Sequence, residues 1–347
     1  MAYTTIDKPT DYFETVIYAG GTTDISSLDF QPDWVWGKKR DGAENHGIFD
    51  SVRSATKTIN SNTTAAESTR GGSLTSFDSD GFTLGGSDGI ISNSGSTYVA
   101  WSWKAGTSFT NDASSTSIGT IDSAGSVNTD AGFSIISYTG TGSAATIAHG
   151  LGVIPKFYLI KNRTNARNWQ SYHEPLGNQA YLRLNTTAAT ATGAAIWNNT
   201  SPTSSVFSIG TSDFNAVNAD GDNYIAYCFA EKQGYSKFGS YTGNGSTDGT
   251  FVYTGFKPAY VLIKKTSGTA QWKILDNKRD TFNVVEDLIN ASNNGAESDF
   301  TTLDFLSNGF KMRNSDADMN GSGETYIYIA FAENPFVTST GVPATAR

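Results

Sequence analysis

A short pattern that occurs three times constrains the fold of this chain more than any other feature. In each copy a proline precedes an apolar run, and a lysine stands six positions after that proline. The copies occupy residues 30–38, 153–161 and 255–264, and their prolines are Pro32, Pro155 and Pro258. Self-similarity of this kind determines the architecture, so it takes precedence over any local motif.

Other residues follow the same register. A tyrosine-glycine turn lies upstream of each proline, and an apolar run that begins with tyrosine closes each copy. These tyrosines are Tyr18, Tyr138 and Tyr241 in the turns, and Tyr98, Tyr224 and Tyr326 in the closing runs. The period is roughly 100 residues, which is the size of an independently folding domain. The sequence therefore predicts three tandem domains, repeat 1 (residues 12–104), repeat 2 (132–232) and repeat 3 (233–334).

Three further segments complete the predicted organisation. Residues 1–11 and 335–347 are polar or small, and we predict that they form N-terminal and C-terminal arms. Residues 105–131 consist largely of serine, threonine, glycine, aspartate and alanine, so they bury too little apolar surface to fold alone. We predict that this segment is a linker, which either gives repeat 1 freedom or lies against a partner chain. Repeats 2 and 3 abut directly and are predicted to form a rigid pair.

The composition indicates the fold class. Hydrophobic residues make up 37% of the chain and aromatic residues 12%, and 36 glycines separate many short apolar runs. Short alternating runs joined by glycine-rich turns are typical of antiparallel β structure, and helix signals are sparse. We therefore predict an all-β protein of three tandem antiparallel β-sandwich modules, which resemble jelly rolls.

Charge and hydropathy argue against two classes of partner. The net charge is −9, and the longest basic cluster is Lys38-Lys39-Arg40, so we predict that the protein does not bind nucleic acid. No run of 18 apolar residues occurs, so we predict no insertion into a membrane. The single cysteine, Cys228, cannot form an intrachain disulfide and is predicted to be a buried thiol.

The ionisable residues do not form a recognisable catalytic set. The three histidines, His46, His149 and His173, are scattered over the repeats and have neither metal-ligand spacing nor the arrangement of a triad. No pair of carboxylates recurs in a setting that suggests glycoside hydrolysis. We therefore predict that the protein is not an enzyme and that it uses no cofactor, with calcium as the one exception to be weighed.

One loop has the alternating oxygen donors of a calcium site. Asp316, Asp318 and Asn320 stand at every second position and are followed by glycine. The next glutamate comes too early for an EF-hand, and the equivalent loops lack the same acids. The alternative is a loop whose Asp and Asn side chains cap the backbone in Asx turns.

A second local hypothesis concerns carbohydrate. Sugar rings stack on exposed aromatic side chains, while neighbouring amides bind their hydroxyls. Trp197 has no counterpart in the other repeats and is flanked by Asn198 and Asn199. These three residues are therefore the predicted glycan-binding site.

The repeat resembles one found in structural proteins of marine tailed bacteriophages, including cyanophage and pelagiphage relatives. The resemblance lies in the YTGxG turns, in the GFxPxxVxIK pattern of residues 255–264 and in the closing run YIAYCFAE of residues 224–231. Repeat 1 departs from it at Gly37, where the other copies have isoleucine. The family offers no catalytic residues that could be carried over.

The resemblance implies an extracellular location on the virion surface, as a tail-fibre or receptor-binding protein. Its partners would be other virion proteins and a host cell-surface glycan, and we predict a homotrimer that gains avidity from repeated weak sites. A head fibre or capsid decoration protein, docked on the shell through the terminal arms, is the alternative. A polysaccharide-degrading enzyme is the third and least supported hypothesis.

Overall fold

The structure is a computed structural model that describes residues 2–211 and 216–345. Strands make up 43% of the chain and helices 3%. The strands that form sheets in the described residues pair antiparallel, which confirms the prediction of an all-β protein with antiparallel sheets.

The strands follow one another through the three repeats. Repeat 1 contains β1 (Phe13–Ala19), β2 (Asp24–Ile25), β3 (Trp34–Lys39), β4 (Gly47–Asp50), β5 (Lys57–Thr58), β6 (Ser68–Thr69), β7 (Leu74–Asp78), β8 (Gly81–Leu84) and β9 (Thr97–Trp103). The segment between repeats 1 and 2 contains β10 (Thr107–Asn111), the short helix α1 (Ala113–Thr116) and β11 (Ser123–Asn128). Repeat 2 contains β12 (Phe133–Thr139), β13 (Ala145–Ala148), β14 (Phe157–Asn162), β15 (Gln170–His173), β16 (Ala180–Tyr181), β17 (Ala191–Thr192), β18 (Val206–Ile209) and β19 (Asn223–Phe229). Repeat 3 contains β20 (Ser236–Thr242), β21 (Phe251–Tyr253), β22 (Phe256–Lys265), β23 (Lys273–Asp276), β24 (Val285–Asn290), β25 (Ser298–Leu306), β26 (Gly309–Met312) and β27 (Thr325–Pro335). Single 3-10 turns lie at Pro9–Asp11 and Glu174–Leu176.

The three repeats share one strand order. In each repeat the closing strand lies between the first strand and the strand that follows the proline, as β1-β9-β3-β4, β12-β19-β14-β15 and β20-β27-β22-β23. A second, smaller set of strands covers one face of this main sheet, as β2-β8-β7 does in repeat 1 and β13-β18 in repeat 2. In repeat 3 the strands form one continuous sheet of eight that curls towards a barrel.

Each main sheet is buried on both faces. In β3, Val35 points into the core of its own sandwich, whereas Trp34 and Trp36 point into a second core. The closing strand β9 alternates in the same way, with Ala100 in the core of the sandwich and Trp101 in the second core. This second core, which we call the shared core, contains side chains from all three repeats. The repeats therefore pack around a common centre.

Aromatic rings connect every pair of repeats within the shared core. Trp34 of repeat 1 lies 4.7 Å from Tyr227 of repeat 2, measured between ring centroids. Trp103 of repeat 1 lies 5.5 Å from Phe331 of repeat 3, and Phe229 of repeat 2 lies 5.8 Å from the same Phe331 ring. Ring pairs at these distances contribute dispersion and quadrupole attraction beyond the area that they bury. The three sandwiches thus form one packed unit.

Polar contacts between the repeats close a ring. At the end of β4, β15 and β23, equivalent side chains reach the closing strand of the next repeat. Tyr227 Oη donates to Asp50 Oδ2 (2.6 Å), His173 Nε2 contacts the carbonyl O of Tyr328 (3.2 Å), and Trp101 Nε1 donates to Asp276 Oδ2 (3.0 Å). Repeat 1 therefore contacts repeat 2, repeat 2 contacts repeat 3, and repeat 3 contacts repeat 1.

Buried ion pairs reinforce two of these three interfaces. Arg279 Nε lies 2.6 Å from Asp276 Oδ2, and both side chains are fully buried. Arg279 also reaches Glu297, which in turn binds Arg40 of repeat 1. The Asp50–Arg53 pair is the equivalent in repeat 1. Arg53 also reaches Glu67, which in turn binds Arg163 of repeat 2. A buried carboxylate of this kind is tolerated only because each of its oxygens has a donor.

The predicted linker is instead part of a sheet. In residues 105–131, β10 pairs with β11, and β11 pairs with β12 at the edge of the main sheet of repeat 2. The few apolar residues of the segment, among them Phe109 and Val127, pack against the core of repeat 2. Backbone pairing supplies the cohesion that the small side chains do not, so the composition misled the prediction.

The terminal arms also contact the chain itself. Tyr3 Oη donates to the carbonyl O of Gly255 (2.6 Å), and Ile6 is buried in the shared core. The backbone N–H of Ser339, in the C-terminal segment, donates to Asp7 Oδ1 (2.6 Å). Both arms therefore lie on the protein surface near repeat 3. No helix in the part of the chain that the structure describes is long and apolar enough to cross a membrane.

We predict that the three repeats unfold together. Independent domains would unfold in separate steps, whereas a shared core makes the loss of one repeat expose the other two. Differential scanning calorimetry should show one transition, with equal calorimetric and van't Hoff enthalpies. Two or three resolved transitions would contradict the shared core as the source of cohesion.

Candidate functional site

One position differs among the repeats in a way that opens a cavity. On the strand after the proline strand, Gly47, Gln170 and Lys273 occupy equivalent places, because they pair with Gly37, Ile160 and Ile263 respectively. Facing them, across the sandwich, are the equivalent residues Ile90, Ala216 and Asp318. Each of these three residues stands two positions before the acceptor of the same turn hydrogen bond. The donors are the N–H groups of Gly21, Gly142 and Gly245, and the acceptors are the carbonyl oxygens of Ser92, Asn218 and Asn320.

Repeats 1 and 3 occupy this position by different means. In repeat 1 the Ile90 side chain fills the space over Gly47, since a Cβ added to Gly47 would lie only 2.5 Å from Ile90 Cγ2. In repeat 3, Lys273 Nζ reaches Asp318 Oδ2 at 3.4 Å and forms an ion pair across the gap. A cavity of about 250 Å³ nevertheless remains beside Lys273 in repeat 3, and it is also lined by Asn290, Ser298 and Asp316.

Repeat 2 leaves the position open. Gln170 and Ala216 do not span the gap, and a cavity of about 280 Å³ remains between them. We call it the repeat 2 cavity. Its lining includes Thr64, Arg167, Asn168, Gln170, Arg183 and Ala216. Thr64 belongs to repeat 1, so the cavity lies where repeats 1 and 2 meet.

Several buried polar atoms in this lining have no partner. Gln170 is 2% exposed, and its Oε1 atom accepts no hydrogen bond from any residue that the structure describes. The Nε atoms of Arg167 and Arg183 are buried and likewise unpaired within the described residues. Each such group costs about 1–3 kcal/mol of desolvation when nothing replaces water. Their accessible surface is close to zero, so these three atoms lie behind the cavity wall and a molecule in the cavity does not reach them.

Basic side chains line and flank the cavity. Arg183 Nη2 donates to Tyr181 Oη (3.3 Å), and no carboxylate of the described residues forms a salt bridge with Arg183 or Arg167. Lys161 lies beside them, and its Nζ donates to the carbonyl oxygens of Thr64 (3.0 Å) and Arg167 (2.9 Å). Burial and the nearby Arg167 charge lower the pKa of Lys161 to about 7. Guanidinium groups without an acid partner are suited to bind a carboxylate or another anion.

A comparison with known protein families places the whole chain. The model of a family described as a domain of unknown function, DUF7483, matches residues 8–335. The chain belongs to this family. One match spans all three repeats, so the DUF7483 unit corresponds to the complete ring and not to a single sandwich. No curated protein matches the chain.

The prediction that Trp197 forms part of a glycan-binding site is wrong. In the DUF7483 fold the Trp197 side chain is fully buried, its Nε1 donates to the carbonyl O of Ala180 (2.9 Å), and its ring meets that of Tyr158 edge-on at 5.0 Å. A sugar cannot stack on a ring inside the core. Asn198 and Asn199 are exposed, with φ of 51° and 49°, and serve as left-handed turn residues.

The calcium hypothesis is not supported by the loop geometry. Asn320 Oδ1 already accepts a hydrogen bond from the N–H of Asn244 (3.1 Å), Asp316 Oδ1 accepts one from the N–H of Asp318 (2.7 Å), and Asp318 pairs with Lys273. These are the contacts of Asx turns, the alternative interpretation of the loop. Residues 2–211 and 216–345 contain no group of three or more His, Cys, Asp or Glu side chains that could hold a metal ion.

The histidines are buried and neutral. His46 Nδ1 accepts from Trp36 Nε1 (2.9 Å), so its proton lies on Nε2, which faces the carbonyl O of Asn290 (3.0 Å). Burial is the main cause that lowers the pKa of His46 to about 3, and the pKa values of His149 and His173 to about 4. These imidazoles hold backbone groups in place and do not exchange protons near neutral pH. Cys228 is a buried thiol, as predicted from the sequence.

Sequence reasoning missed Arg167, Gln170 and Arg183. The signal was present in the repeat alignment, because position 15 after the proline is glycine, glutamine and lysine in the three copies. Exposed aromatic side chains and acidic loops are the sequence signals for glycan and calcium sites, and neither describes a cavity lined by arginines. Departures from the repeat pattern at buried positions would have been the better guide.

We predict that Trp197→Ala destabilises the protein by about 3–5 kcal/mol, because it removes a buried ring and leaves a void. Chemical denaturation should measure the loss. The exposed strand residue Thr192 provides a control, since Thr192→Ala should change the free energy of unfolding by no more than about 0.5 kcal/mol. An unchanged midpoint for Trp197→Ala would contradict the burial of the ring.

We predict that the free energy of unfolding falls as the pH is lowered from about 6.5 to 4. In the unfolded chain the histidines become protonated near their ordinary pKa of 6.5. In the folded chain they stay neutral until the pH falls to about 4 or below, so acid favours the unfolded state. His149→Asn keeps an acceptor for the Leu151 N–H and removes one titration. Its slope should be shallower by up to about 1.4 kcal/mol per pH unit in this window.

The same variant carries its own control. Between about pH 8.5 and 9.5 the histidines are neutral in both states, so the slopes of wild type and His149→Asn should coincide there. Equal slopes between pH 6.5 and 4 would show that His149 is not held neutral by the fold.

Proposed function

We propose that this DUF7483 protein is a non-enzymatic surface protein of a tailed-bacteriophage virion, of the tail-fibre or receptor-binding type, that attaches to host cell-surface glycans. The resemblance of its turns and closing strands to phage structural proteins supports the virion assignment. The repeat 2 cavity carries the binding assignment, because Arg167 and Arg183 line it and neither forms a salt bridge with a carboxylate of the described residues.

The remaining ionisable groups support a binding role. Asp50 and Asp276 are used in buried ion pairs that hold the repeats together, and both are fully buried. The histidines bind backbone groups in their neutral form. A hydrolase needs such groups to converge on a substrate cleft, and in this chain they serve the interfaces.

The number of candidate binding sites in each chain determines how avidity arises. Among the described residues, repeat 2 has a cavity lined by two arginines, so we expect avidity to come from several chains rather than from the three repeats of one chain. A homotrimer fits this proposal. The head-fibre or decoration alternative requires free terminal arms, and Tyr3 and Asp7 bind their own chain instead.

Attachment can be tested with purified, fluorescently labelled protein and cells of the host bacterium. We expect saturable binding that is abolished when periodate oxidises the cell-surface glycans, and no release of reducing sugar ends from the isolated polysaccharide. Protein unfolded and refolded without recovery of its near-ultraviolet circular dichroism provides the matched negative control. Periodate-resistant binding would contradict the glycan receptor, and released reducing ends would contradict the non-enzymatic assignment.

Antibody labelling of virus particles tests the location. Gold particles on the tail or its fibres would support the proposal. Labelling confined to the shell would favour the decoration alternative.

A further inference from the structure

The sandwich of repeat 3 is open along one side. β20 and β21 are the two edges of its eight-stranded sheet, so within the described residues neither has a strand on its outer side. We propose that the cleft between these two edges, which we call the repeat 3 cleft, binds an extended segment of another protein chain by strand addition. Such a protein partner goes beyond the proposed function, because it does not depend on a glycan receptor.

Repeat 2 shows the same side of the sandwich when it is filled. Residues 120–128 run along both of its edges. The N–H of Thr120 donates to the carbonyl O of Thr146 (2.9 Å) on β13, and β11 pairs antiparallel with β12. Ile121 and Val127 of this segment pack against the core of repeat 2. In repeat 2 the chain itself therefore covers both edges.

The two edges of repeat 3 are equivalent to those of repeat 2. Tyr241 and Tyr138 both pair with the first tyrosine of the closing strand. Val252 and Ile147 both pair with the phenylalanine of the neighbouring strand, which is β26 or β18. A segment that fills the repeat 3 cleft would thus run antiparallel to β20 and parallel to β21, as residues 120–128 do in repeat 2.

Backbone groups on both edges are free to pair with such a segment. Alternate residues of an antiparallel strand direct their N–H and C=O groups to opposite sides. The carbonyl O of Tyr235 accepts from the β27 side, so Phe238 and Ser240 face the cleft. On β21 the same alternation directs Phe251 and Tyr253 to the cleft, since the residues beside them bond to the β26 side. Within the described residues, no hydrogen bond reaches the backbone groups of these four residues.

The size of the cleft suits one extended segment. A cavity of about 230 Å³ lies between the edges, with Ser236 on one wall, Tyr253 on the other and Tyr3 of the N-terminal arm also in its lining. At the far end, the Thr250 hydroxyl donates to the carbonyl O of Thr242 (2.9 Å). A folded partner needs about 800 Å² of surface on each side for a stable interface. A cleft of this size does not offer that area, whereas a single strand can enter it.

The side chains of repeat 3 do not protect the open edge. Asp24 stands in repeat 1 where Phe251 stands in repeat 3, and its strand β2 has only two residues. Charges and short strands are devices that keep an edge from pairing. In repeat 3 the edge instead exposes Phe251 by 46% and Tyr253 by 53%. Lys237, the charged residue of β20, is neutralised by Glu231 at 2.6 Å.

These observations define the partner. Aromatic side chains on one strand pair well with β-branched side chains on its neighbour, so the segment should carry such residues beside Phe251 and Tyr253. A second copy of this chain is a poor source, because its own residues 120–128 are paired within repeat 2 and its N-terminal arm is held through Tyr3. The occupant is therefore a segment of a different protein.

Hydrogen–deuterium exchange of the full chain tests the cleft, with a synthetic peptide of residues 120–128 as the probe. We expect the peptide to slow exchange in residues 236–242 and to leave residues 107–111, on the free edge of β10, unchanged. A lack of protection in residues 236–242 up to millimolar peptide would overturn the proposal.

Two methylated peptides test the backbone pairing in the unaltered protein. Ser126 directs its N–H to β12, opposite Ile135, whereas Gly125 directs its N–H away from β12. Methylation of the Ser126 nitrogen should therefore weaken binding at least about tenfold, and methylation of the Gly125 nitrogen should not. Equal affinities of the two methylated peptides would overturn strand addition.

A proline variant assigns the binding to β20. Ser240→Pro removes an N–H that faces the cleft, and edge strands tolerate proline at such positions. It should weaken peptide binding at least about tenfold. Thr110→Pro is the matched control, because Thr110 is an exposed residue that faces outwards on the other free edge, β10, and it should leave the affinity unchanged. Circular dichroism confirms that both variants are folded, and undiminished binding to folded Ser240→Pro would overturn the assignment.

Sedimentation of the chain without peptide tests the choice of partner. We expect any oligomer to persist in Ser240→Pro. Self-association that is lost in this variant and that protects residues 236–242 would assign the cleft to a second copy and contradict a different protein as the occupant.

Discussion

Burial of both faces of the closing strands is the constraint on which the rest of the structure depends. Ala100 faces the core of its own sandwich and Trp101 faces the shared core, and the equivalent strands of repeats 2 and 3 alternate in the same way. None of the three sandwiches can leave without exposing tryptophan and phenylalanine rings from the other two. The functional unit is therefore the ring, and a cavity between two repeats has a fixed shape only because the ring is closed.

Hydrophobic packing alone would not fix the order of the repeats, and the buried polar residues do so. Where the closing strand offers a donor, Trp101 or Tyr227, the neighbouring repeat presents an aspartate that is already paired with arginine. Where the closing strand offers Ile329 instead, the neighbour presents His173, which reaches a backbone carbonyl. An aspartate facing Ile329 would be a buried charge short of one partner, at a cost of several kcal/mol. Each interface thus accepts only its own neighbour.

The repeat register was enough to predict the strands and the all-β class. Prolines at the starts of strands, tyrosine-glycine turns and alternating apolar residues are all local signals. The shared core was not predicted because each alternating strand was assumed to have one face in solvent. The segment Trp34-Val35-Trp36 is instead apolar on both faces. The linker prediction failed because β10 and β11 are held by backbone hydrogen bonds, which composition does not report. Trp197 was misassigned since a residue without a counterpart can fill a gap in the core as easily as it can line a surface.

The cavity could not be predicted from local motifs, because what defines it is a difference between copies. Three side-chain pairs occupy one backbone frame, in which Ile90 packs over Gly47, Lys273 binds Asp318, and Gln170 faces Ala216 across a cavity. The frame is common, so the opening cannot be attributed to strand order or register. Repeat 1 shows that a filled position is compatible with the fold. The open position of repeat 2 is then not imposed by the fold, and the two arginines that line it are the residues on which the binding proposal rests.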